Sequence, residues 1–452
     1  MLHTLREVER DPLAYLQQAT QRYGDLWQME TGPMRQVIIS HPDHIYEVCV
    51  RQADQFHKDR DYSDTRRGLA RFLGSGLLTS DGEFWKRQRK LVAPAFHTRR
   101  ISAYAETMIE RTLHMLDGWE GQRELDVDAE MMRLTLQIVV KALFNADITE
   151  EAERVGDAMT VLQYMAGSNS FSIEALLPEW LPTPKRFRES RAVADLDGIV
   201  YPLIAERRAS GEDKGDLLSI LLLSEDEDGG RMSDKQVRDE AVTLFLAGHE
   251  TTANTLNWTW MLLAQHPEVE ARLHAEIDAV LGDRPPKLAD LKQLPYAEQV
   301  IKESMRLYPP AYAFGRMALN DVEIDGYVIP QGSSVGVISY LAHRDPRWWD
   351  EPERFNPERF SPEHEPHIRR YSYLPFGAGP RICIGNSFAM MEAHLLLVAV
   401  AQRYQLRLAP GQVVEPEPLI TLRPKNGLHM RLEAREPRLH RLPVEKSAIL
   451  VS

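Results

Sequence analysis

Residues Phe376–Ala389 read FGAGPRICIGNSFA and hold Cys383, one of two cysteines in the chain. A thiol can be a nucleophile, a metal ligand or an inert packing group. A nucleophile wants a neighbouring base, and the flanking residues supply none. A zinc site wants further cysteines or histidines at close spacing, and these are missing too. Two readings stay open: a buried structural cysteine or a single thiolate ligand to iron. The surroundings suit the second. Gly377 and Gly379 permit backbone conformations that other residues resist, and Gly385 omits a side chain where a flat group would approach the sulfur. A helical pattern starts just after Cys383, so its dipole and unpaired N–H groups favour a thiolate. Phe376 would shield the sulfur, and Arg381 offers a nearby cation.

A second polar cluster interrupts an apolar run. SDKQVRDEAVTLFLAGHETTANTLNWTWMLLAQHP reads as one helix from Ser233 to Pro267. Ser233 and Gln236 fit a capping box, and Pro267 stops the far end. At ~1.5 Å per residue such a helix spans roughly 48 Å, enough to cross a domain. Its centre is Ala247-Gly248-His249-Glu250-Thr251-Thr252, weak in helix propensity and polar. The threonines could simply bond back to the preceding turn with Glu250 reaching solvent. Alternatively, the helix opens locally to admit a small ligand and carry protons.

A third constellation is Glu303 and Arg306, three apart and so on one helix face. Val300, Ile301 and Leu307 suggest partial burial, and Pro309-Pro310 ends the helix. A buried arginine wants several oxygen partners. Arg359, in FNPERF, could complete a triad pinning the following segment to the helix.

The elements that must position these residues follow from periodicity and turn signals. Residues 11–24 read as a short helix opening at Asp11-Pro12, followed by two strands around Gly32-Pro33. From about 41 to 320 the signal is mostly helical. Residues 58–82 are irregular. Residues 167–184 are rich in Pro, Ser and apolar side chains, as either a connector or an apolar flap. After Pro310 the pattern turns to strands, with a hairpin at Asp325-Gly326. HRDPRWWDEPERFNPERF has neither period and reads as a packed meander. We expect mainly α structure with a smaller β-rich part: one unit over residues 1–432 and a polar tail at 433–452.

The bulk numbers narrow the function. The formal charge of −13 disfavours nucleic-acid binding. Lys86, Arg87, Arg89, Lys90, Arg99 and Arg100 nevertheless form a local basic cluster, either a solvated helix face or a dock for an acidic partner. Two cysteines suit a reducing compartment. The N-terminus lacks a signal-peptide pattern, and no window is apolar enough to span a membrane. The expectation is a soluble, cytoplasmic protein.

Phe376-Gly377-Ala378-Gly379-Pro380-Arg381-Ile382-Cys383-Ile384-Gly385 resembles the haem-binding signature of the cytochrome P450 family. Glu303-x-x-Arg306 with Arg359 resembles its Glu-Arg-Arg triad. Ala247 to Thr252 resembles its oxygen-binding helix, and Trp85-x-x-x-Arg89 resembles its propionate-contacting helix. The four motifs occur in family order, and the resemblance covers about residues 10–432.

The resemblance implies a cytochrome P450 fold with haem between the long helix and the Cys383 loop. It makes Cys383 the axial thiolate and directs Arg89, Arg381 and Arg316 to the haem propionates, with Trp85 in support; a sheet-edge surface charge is the plainer reading of Arg316. Thr251 would hold the water that delivers protons, with Glu250 relaying them. Peroxygenases and hydroperoxide isomerases of the family commonly lack this acid–alcohol pair, so monooxygenation is favoured over those activities and over a non-catalytic haem sensor. One branch attaches haem through a Glu at the position of Ala247; alanine implies non-covalent haem b. By family position the pocket walls are Phe72, Leu77, Leu78, Leu244, Phe245, Ala247, Ala311, Ala313, Phe314, Leu419 and Ile420, with Arg66, Arg67 and Arg71 nearby. These favour a hydrophobic substrate such as a fatty acid, terpenoid or steroid. The long helix resembles the branch of fatty-acid hydroxylases and microsomal-type enzymes. No flavin or iron–sulfur domain follows, so a monomer fed by a separate ferredoxin or flavodoxin with its reductase is implied. Lys86, Arg87 and Lys90 would dock that donor.

Overall fold

The computed structural model describes residues 10–435 except 32–33, 67, 146–153, 157, 163–164 and 166–182. The expected turn at Gly32-Pro33, Arg67, nearly all of the expected flap and residues 436–452 therefore lie outside the described residues.

Helix α1 (Pro12–Tyr23) starts where Asp11 accepts from the Ala14 N–H at 3.0 Å and Pro12 takes the first helical position. β1 (Leu26–Thr31) and β2 (Met34–Ile39) pair antiparallel with Leu26 opposite Ile39, and β3 (Phe56–Lys58) follows. Among its described residues the expected irregular stretch contains two single helical turns, Arg60–Ser63 and Ala70–Leu73. Next come α2 (Gly82–Val92), α3 (Ala105–Gly118), β4 (Glu124–Asp126) and α4 (Val127–Phe144). Thr183 caps α5 (Pro184–Ser210), followed by α6 (Leu217–Leu223), α7 (Asp234–Gln265), α8 (Pro267–Leu281) and α9 (Pro295–Leu307).

The second half adds β5 (Phe314–Ala318), β6 (Val322–Ile324), β7 (Tyr327–Ile329) and β8 (Ser334–Val337). Asp325 and Gly326 join β6 to β7 with φ of 50° and 78°, the left-handed pair that a tight hairpin turn requires. Strands β1, β2, β8, β5 and β3 lie in that order in one sheet, antiparallel except for β2 beside β8. Helix α10 (Asn386–Arg403) follows the Cys383 loop. Then come β9 (Tyr404–Leu408), β10 (Pro416–Pro418), β11 (Leu422–Pro424) and β12 (His429–Ala434). β12 runs two residues past 432, because Arg435 is anchored by its N–H to the Arg403 carbonyl and by its guanidinium to Asp278.

The mainly α architecture with a smaller sheet part is present as expected. α7 is the axis. Its Ser233–Gln236 capping box is formed, and the helix is unbroken through its weak centre. α4, α5, α9 and α10 pack around it, which explains why it is apolar on several sides.

The meander is held by a buried ion triad. Arg306 is fully buried and all five of its N–H donors are used. It grips Glu303 at 2.7 and 2.9 Å and donates to the carbonyls of His343, Pro352 and Arg354 at 2.8, 2.7 and 3.1 Å. Glu303 also accepts from the Asn356 N–H at 2.9 Å and from Arg359 at 3.3 Å. Satisfying every donor offsets the cost of burying these charges. The triad then reaches the cysteine loop through His343. Its Nε2 accepts from the Leu374 N–H at 2.9 Å, and its Nδ1 faces the Arg306 carbonyl at 3.2 Å. Burial and the Arg306 charge push the His343 pKa down to about 3, so the ring is neutral and can accept.

Candidate functional site

The Leu374–Cys383 segment folds back on itself. The Gly377 N–H donates to the Leu374 carbonyl at 3.0 Å, and the Cys383 N–H donates to the Phe376 carbonyl at 2.9 Å. Gly379 has φ +69°, and a Cβ there would stand 1.8 Å from the Cys49 carbonyl oxygen. Only glycine fits, so the loop rests directly on the Glu47–Arg51 turn. Cys49 is buried, and burial pushes its thiol up to about 11, an inert packing group.

Cys383 is different, being exposed at the loop tip. Enough protein surrounds its sulfur that burial still pushes the thiol up, while the Gly385 N–H and the Arg89 guanidinium pull it back toward thiolate. A Cβ on Gly385 would lie 3.6 Å from Phe96 and 4.0 Å from the Cys383 sulfur. Those are ordinary distances, so the protein's own packing does not demand glycine there. Among the described residues, no group of three or more His, Cys, Asp or Glu could hold a metal ion.

Cations gather beside this loop. Arg381 lies 4.1 Å from the centre of the buried Trp85 ring, donates to the Ser80 carbonyl at 2.9 Å and pairs with Asp81. Arg89 donates to the Ile382 carbonyl at 2.8 Å, tying α2 to the loop. Arg316 is buried on β5 with Lys58 opposite it on β3. Burial first, then Arg316 and Arg381, hold the Lys58 ammonium well below its usual range, with Asp81 and Asp59 opposing them. Burial beside Arg316 and Arg89 likewise lowers Arg381 to about 10, against Asp81. Even with Lys58 biased toward its neutral form, three arginines, Arg89, Arg316 and Arg381, against Asp59 and Asp81 leave local positive charge, which suits an anionic group.

Across from the loop, α7 presents an opening without breaking. Between Val237 and Leu263 every residue of the helix is buried except Ala247, which is exposed, and Gly248 and Thr251, which are half-buried. A small cavity of about 30 Å³, partly open to solvent, is lined by Thr251 and Thr252 of α7, Phe376 of the loop and Ala389 and Met390 of α10. Thr251 donates to the Ala247 carbonyl at 2.6 Å and Thr252 to the Gly248 carbonyl at 3.2 Å, so both hydroxyls bond back one turn. Glu250 does not reach solvent; it is 2% exposed. Its carboxyl bonds the Thr421 hydroxyl, burial pushes its pKa up to about 7, and Oε2 lacks a partner among the described residues. Thr251 and Glu250 thus face different surroundings.

The accessible thiol and the surplus of cations beside it suit the iron and the two carboxylates of a haem. Cys383 would be its ligand, and Lys58, Trp85, Arg89, Arg316 and Arg381 its carboxylate cradle.

The expected pocket residues separate. Phe72, Leu244 and Phe245 share one apolar cluster, and Leu77, Leu78 and Ile420 pack against it half-buried. Phe72 and Phe245 are fully buried, and Phe245 packs on Phe144 with ring centres 5.1 Å apart. Ala313 and Phe314 pack against two other clusters, and Ala311 is exposed. The Leu419 carbonyl accepts from Tyr312 at 3.0 Å. Arg71 pairs with Glu189 at 2.6 Å.

The basic helix α2 is less cationic than its sequence suggests. Lys86 pairs with Glu83 at 2.6 Å, Arg87 with Asp226 at 2.6 Å and Lys90 with Glu227 at 3.0 Å. Sequence reasoning missed Lys58 and His343. A lysine on a short strand has no local signature, and His343 gains meaning only where the meander meets Arg306. Asp81 could have been suspected as a helix cap immediately before α2, a position it occupies.

Comparison with known proteins gives a consistent picture. The family model for cytochrome P450 matches residues 1–430. Cyclooctatin synthase of Streptomyces melanosporofaciens is 38% identical over 416 residues, covering 91% of this chain and 89% of that protein. Pentalenene oxygenase of Streptomyces avermitilis is 34% identical over 436 residues, 95% of each. A solved cytochrome P450DA heme domain superposes with TM-score 0.84 at 27% identity, covering 94% of this chain and 93% of that one.

Proposed function

This chain belongs to the cytochrome P450 family, and from that premise we propose that it is a monooxygenase that inserts one oxygen atom of O2 into a terpenoid. The observation carrying the chemistry is the accessible Cys383 thiol beside a cationic cluster and an α7 cavity. The terpenoid class is supported by the names of the cyclooctatin and pentalenene relatives and by the apolar residues Leu77, Leu78, Leu244 and Ile420 around the expected pocket.

The cofactor is haem b, bound without a covalent side-chain link because position 247 is alanine. When bound, it supplies dioxygen activation and oxygen insertion into a C–H bond. The chain's own residues hold and prepare the site. The Gly385 N–H and Arg89 favour the Cys383 thiolate. Lys58, Arg89, Arg316 and Arg381 match guanidinium or ammonium to carboxylate, and Trp85 fixes Arg381 from below. Thr251 offers a hydroxyl at the cavity wall. Glu250, with a pKa near neutrality, can hold a proton and give it up at working pH. It is bonded to Thr421, so transfer toward Thr251 requires the carboxyl to swing away or a water to bridge the two.

Electrons come from a separate ferredoxin or flavodoxin with its reductase. Among the described residues no helix is long and apolar enough to cross a membrane, and the donor docks at the α2 face beside Cys383.

Reduced protein under carbon monoxide should give the thiolate-ligated absorption band, and Cys383→Ser should lose it. A folded protein whose band is unchanged in Cys383→Ser defeats the ligand assignment. Terpenoids should displace the haem water and shift the iron spin state. A response to fatty acids with none to terpenoids would reassign the substrate. Turnover with peroxide that equals turnover with the donor would replace the monooxygenase reading with a peroxygenase one.

A further inference from the structure

Three consecutive charged residues near the start of α7, Arg238, Asp239 and Glu240, are buried at 5, 2 and 0% exposure. Burying such groups is costly unless each is bonded. Each is bonded to the same short segment. Arg238 donates to the Phe72 carbonyl at 2.9 Å, Asp239 accepts from the Ser75 N–H at 2.9 Å, and Glu240 accepts from the Leu77 N–H at 3.0 Å. Residues 74–81 form neither helix nor strand, so these bonds replace the ladder that regular structure would supply.

The fit is close. Gly74 has φ +72°, and a Cβ there would stand 2.1 Å from the Asp239 carboxylate. A Cβ on Gly76 would stand 2.2 Å from the Thr243 hydroxyl. Thr243 is one turn before Ala247, the exposed residue at the centre of α7, on the same helix face. Leu77 and Leu78, the next two residues and both half-buried, therefore emerge beside the α7 opening. The grip extends to a second wall: Arg238 also bonds Asp197 of α5 at 2.6 Å, and Arg71 pairs with Glu189 of α5. Gln88 of α2 and Lys235 of α7 complete the set, at 3.2 Å from Glu240 and 2.6 Å from Asp239.

We propose that Arg238, Asp239 and Glu240 are specificity-determining positioning residues: by clasping Phe72–Leu77 to α7 and α5 they set how far Leu77 and Leu78 project into the pocket, and so which hydrophobic substrates fit. The inference rests on the monooxygenase reading for the place of the pocket. The clasp itself stands on the hydrogen bonds above.

The test uses the haem-loaded protein and the variants Glu240→Ala, Glu240→Gln and Gly74→Ala. Gly74→Ala drives the adjoining Ser75–Asp239 contact of the same clasp apart from the segment side and leaves the helix sequence unchanged. Two quantities are read: amide hydrogen exchange over residues 72–80, and spectral affinities for hydrocarbons graded from monoterpene to diterpene size. Loss of a buried charged hydrogen bond predicts exchange at Ser75–Leu77 about tenfold or more faster in Glu240→Ala. The preference between small and large ligands should move by a similar factor, with the carbon monoxide band retained. Glu240→Gln, which keeps an acceptor for Leu77, should restore the native ranking. Should Glu240→Ala not take up haem, Gly74→Ala decides alone. A ranking that stays native, or affinities that weaken equally for every size, overturns the proposal. Wild-type protein without the thiolate band would instead overturn the monooxygenase reading.

Discussion

Thr251 and Glu250 are neighbours in sequence, yet their side chains do different things. The Thr251 hydroxyl bonds back to Ala247 at the cavity, while the Glu250 carboxyl is bonded to Thr421 on the C-terminal side and is almost wholly enclosed. Consecutive helical residues point about 100° apart. A proton shared between them must therefore cross between two environments, and that crossing can be measured.

Thr251→Ala should retain haem and its carbon monoxide band but divert donor electrons to hydrogen peroxide. Product per electron consumed should fall roughly tenfold or more, within the usual range for a lost proton-transfer group. Normal coupling in this variant would remove Thr251 from the proton path. Thr421→Val deletes the bond that lowers the Glu250 pKa, so the alkaline limb of the rate profile should move to higher pH. A profile unmoved by that change would show that Glu250 does not limit turnover.

Breaking the buried triad should be costly. Glu303→Gln or Arg306→Ala leaves uncompensated buried charge or carbonyls, and each should destabilise the fold by about 3–5 kcal/mol. Arg359→Ala removes a longer, partly exposed partner and should cost clearly less. Urea unfolding checks the order; a loss in Arg359→Ala as large as in Arg306→Ala contradicts it.

Stability should fall as pH rises from 6.5 to 8. Burial raises the carboxyls of Glu240 and Glu250 to about 7 and of Glu392 to about 8, from 4.5. Between their unfolded and folded values the native state holds more protons than the unfolded chain, so raising pH disfavours folding. Buried His249, His274, His343 and His394 act oppositely, an effect that fades as the unfolded imidazoles lose their protons through and just above 6.5. The carboxyls dominate toward the upper part of the window, with a slope on the order of 1 kcal/mol per pH unit. Glu392→Gln should flatten it. Rising stability across this window would refute the assignment.

The α2 face should respond to its own acids. Replacing Lys86, Arg87 and Lys90 by Glu should raise the apparent KM for the donor. Asp226→Asn with Glu227→Gln frees two of those cations and should lower it, most clearly at low salt. Donor kinetics indifferent to both sets would move the dock elsewhere.

Much of this protein was already legible in its residues. The Ser233–Gln236 capping box and Pro267 bounded α7, Asp325-Gly326 specified a hairpin, and Glu303-x-x-Arg306 with Arg359 gave the triad. These are local signals: caps, turn dihedrals and helical spacing act over a few residues, so the sequence alone determines them. The Cys383 loop belongs with them because its glycines and sulfur lie within one short stretch. What only the tertiary structure decided is which distant groups meet. Lys58 joins Arg316 and Arg381 by strand pairing and loop docking; His343 carries the triad's support to Leu374; Glu250 turns to Thr421; and α2's cations find Asp226 and Glu227. Phe72 and Phe245 are fully buried for the same reason. Burial and charge pairing depend on neighbours far along the chain, and no short-range pattern encodes them.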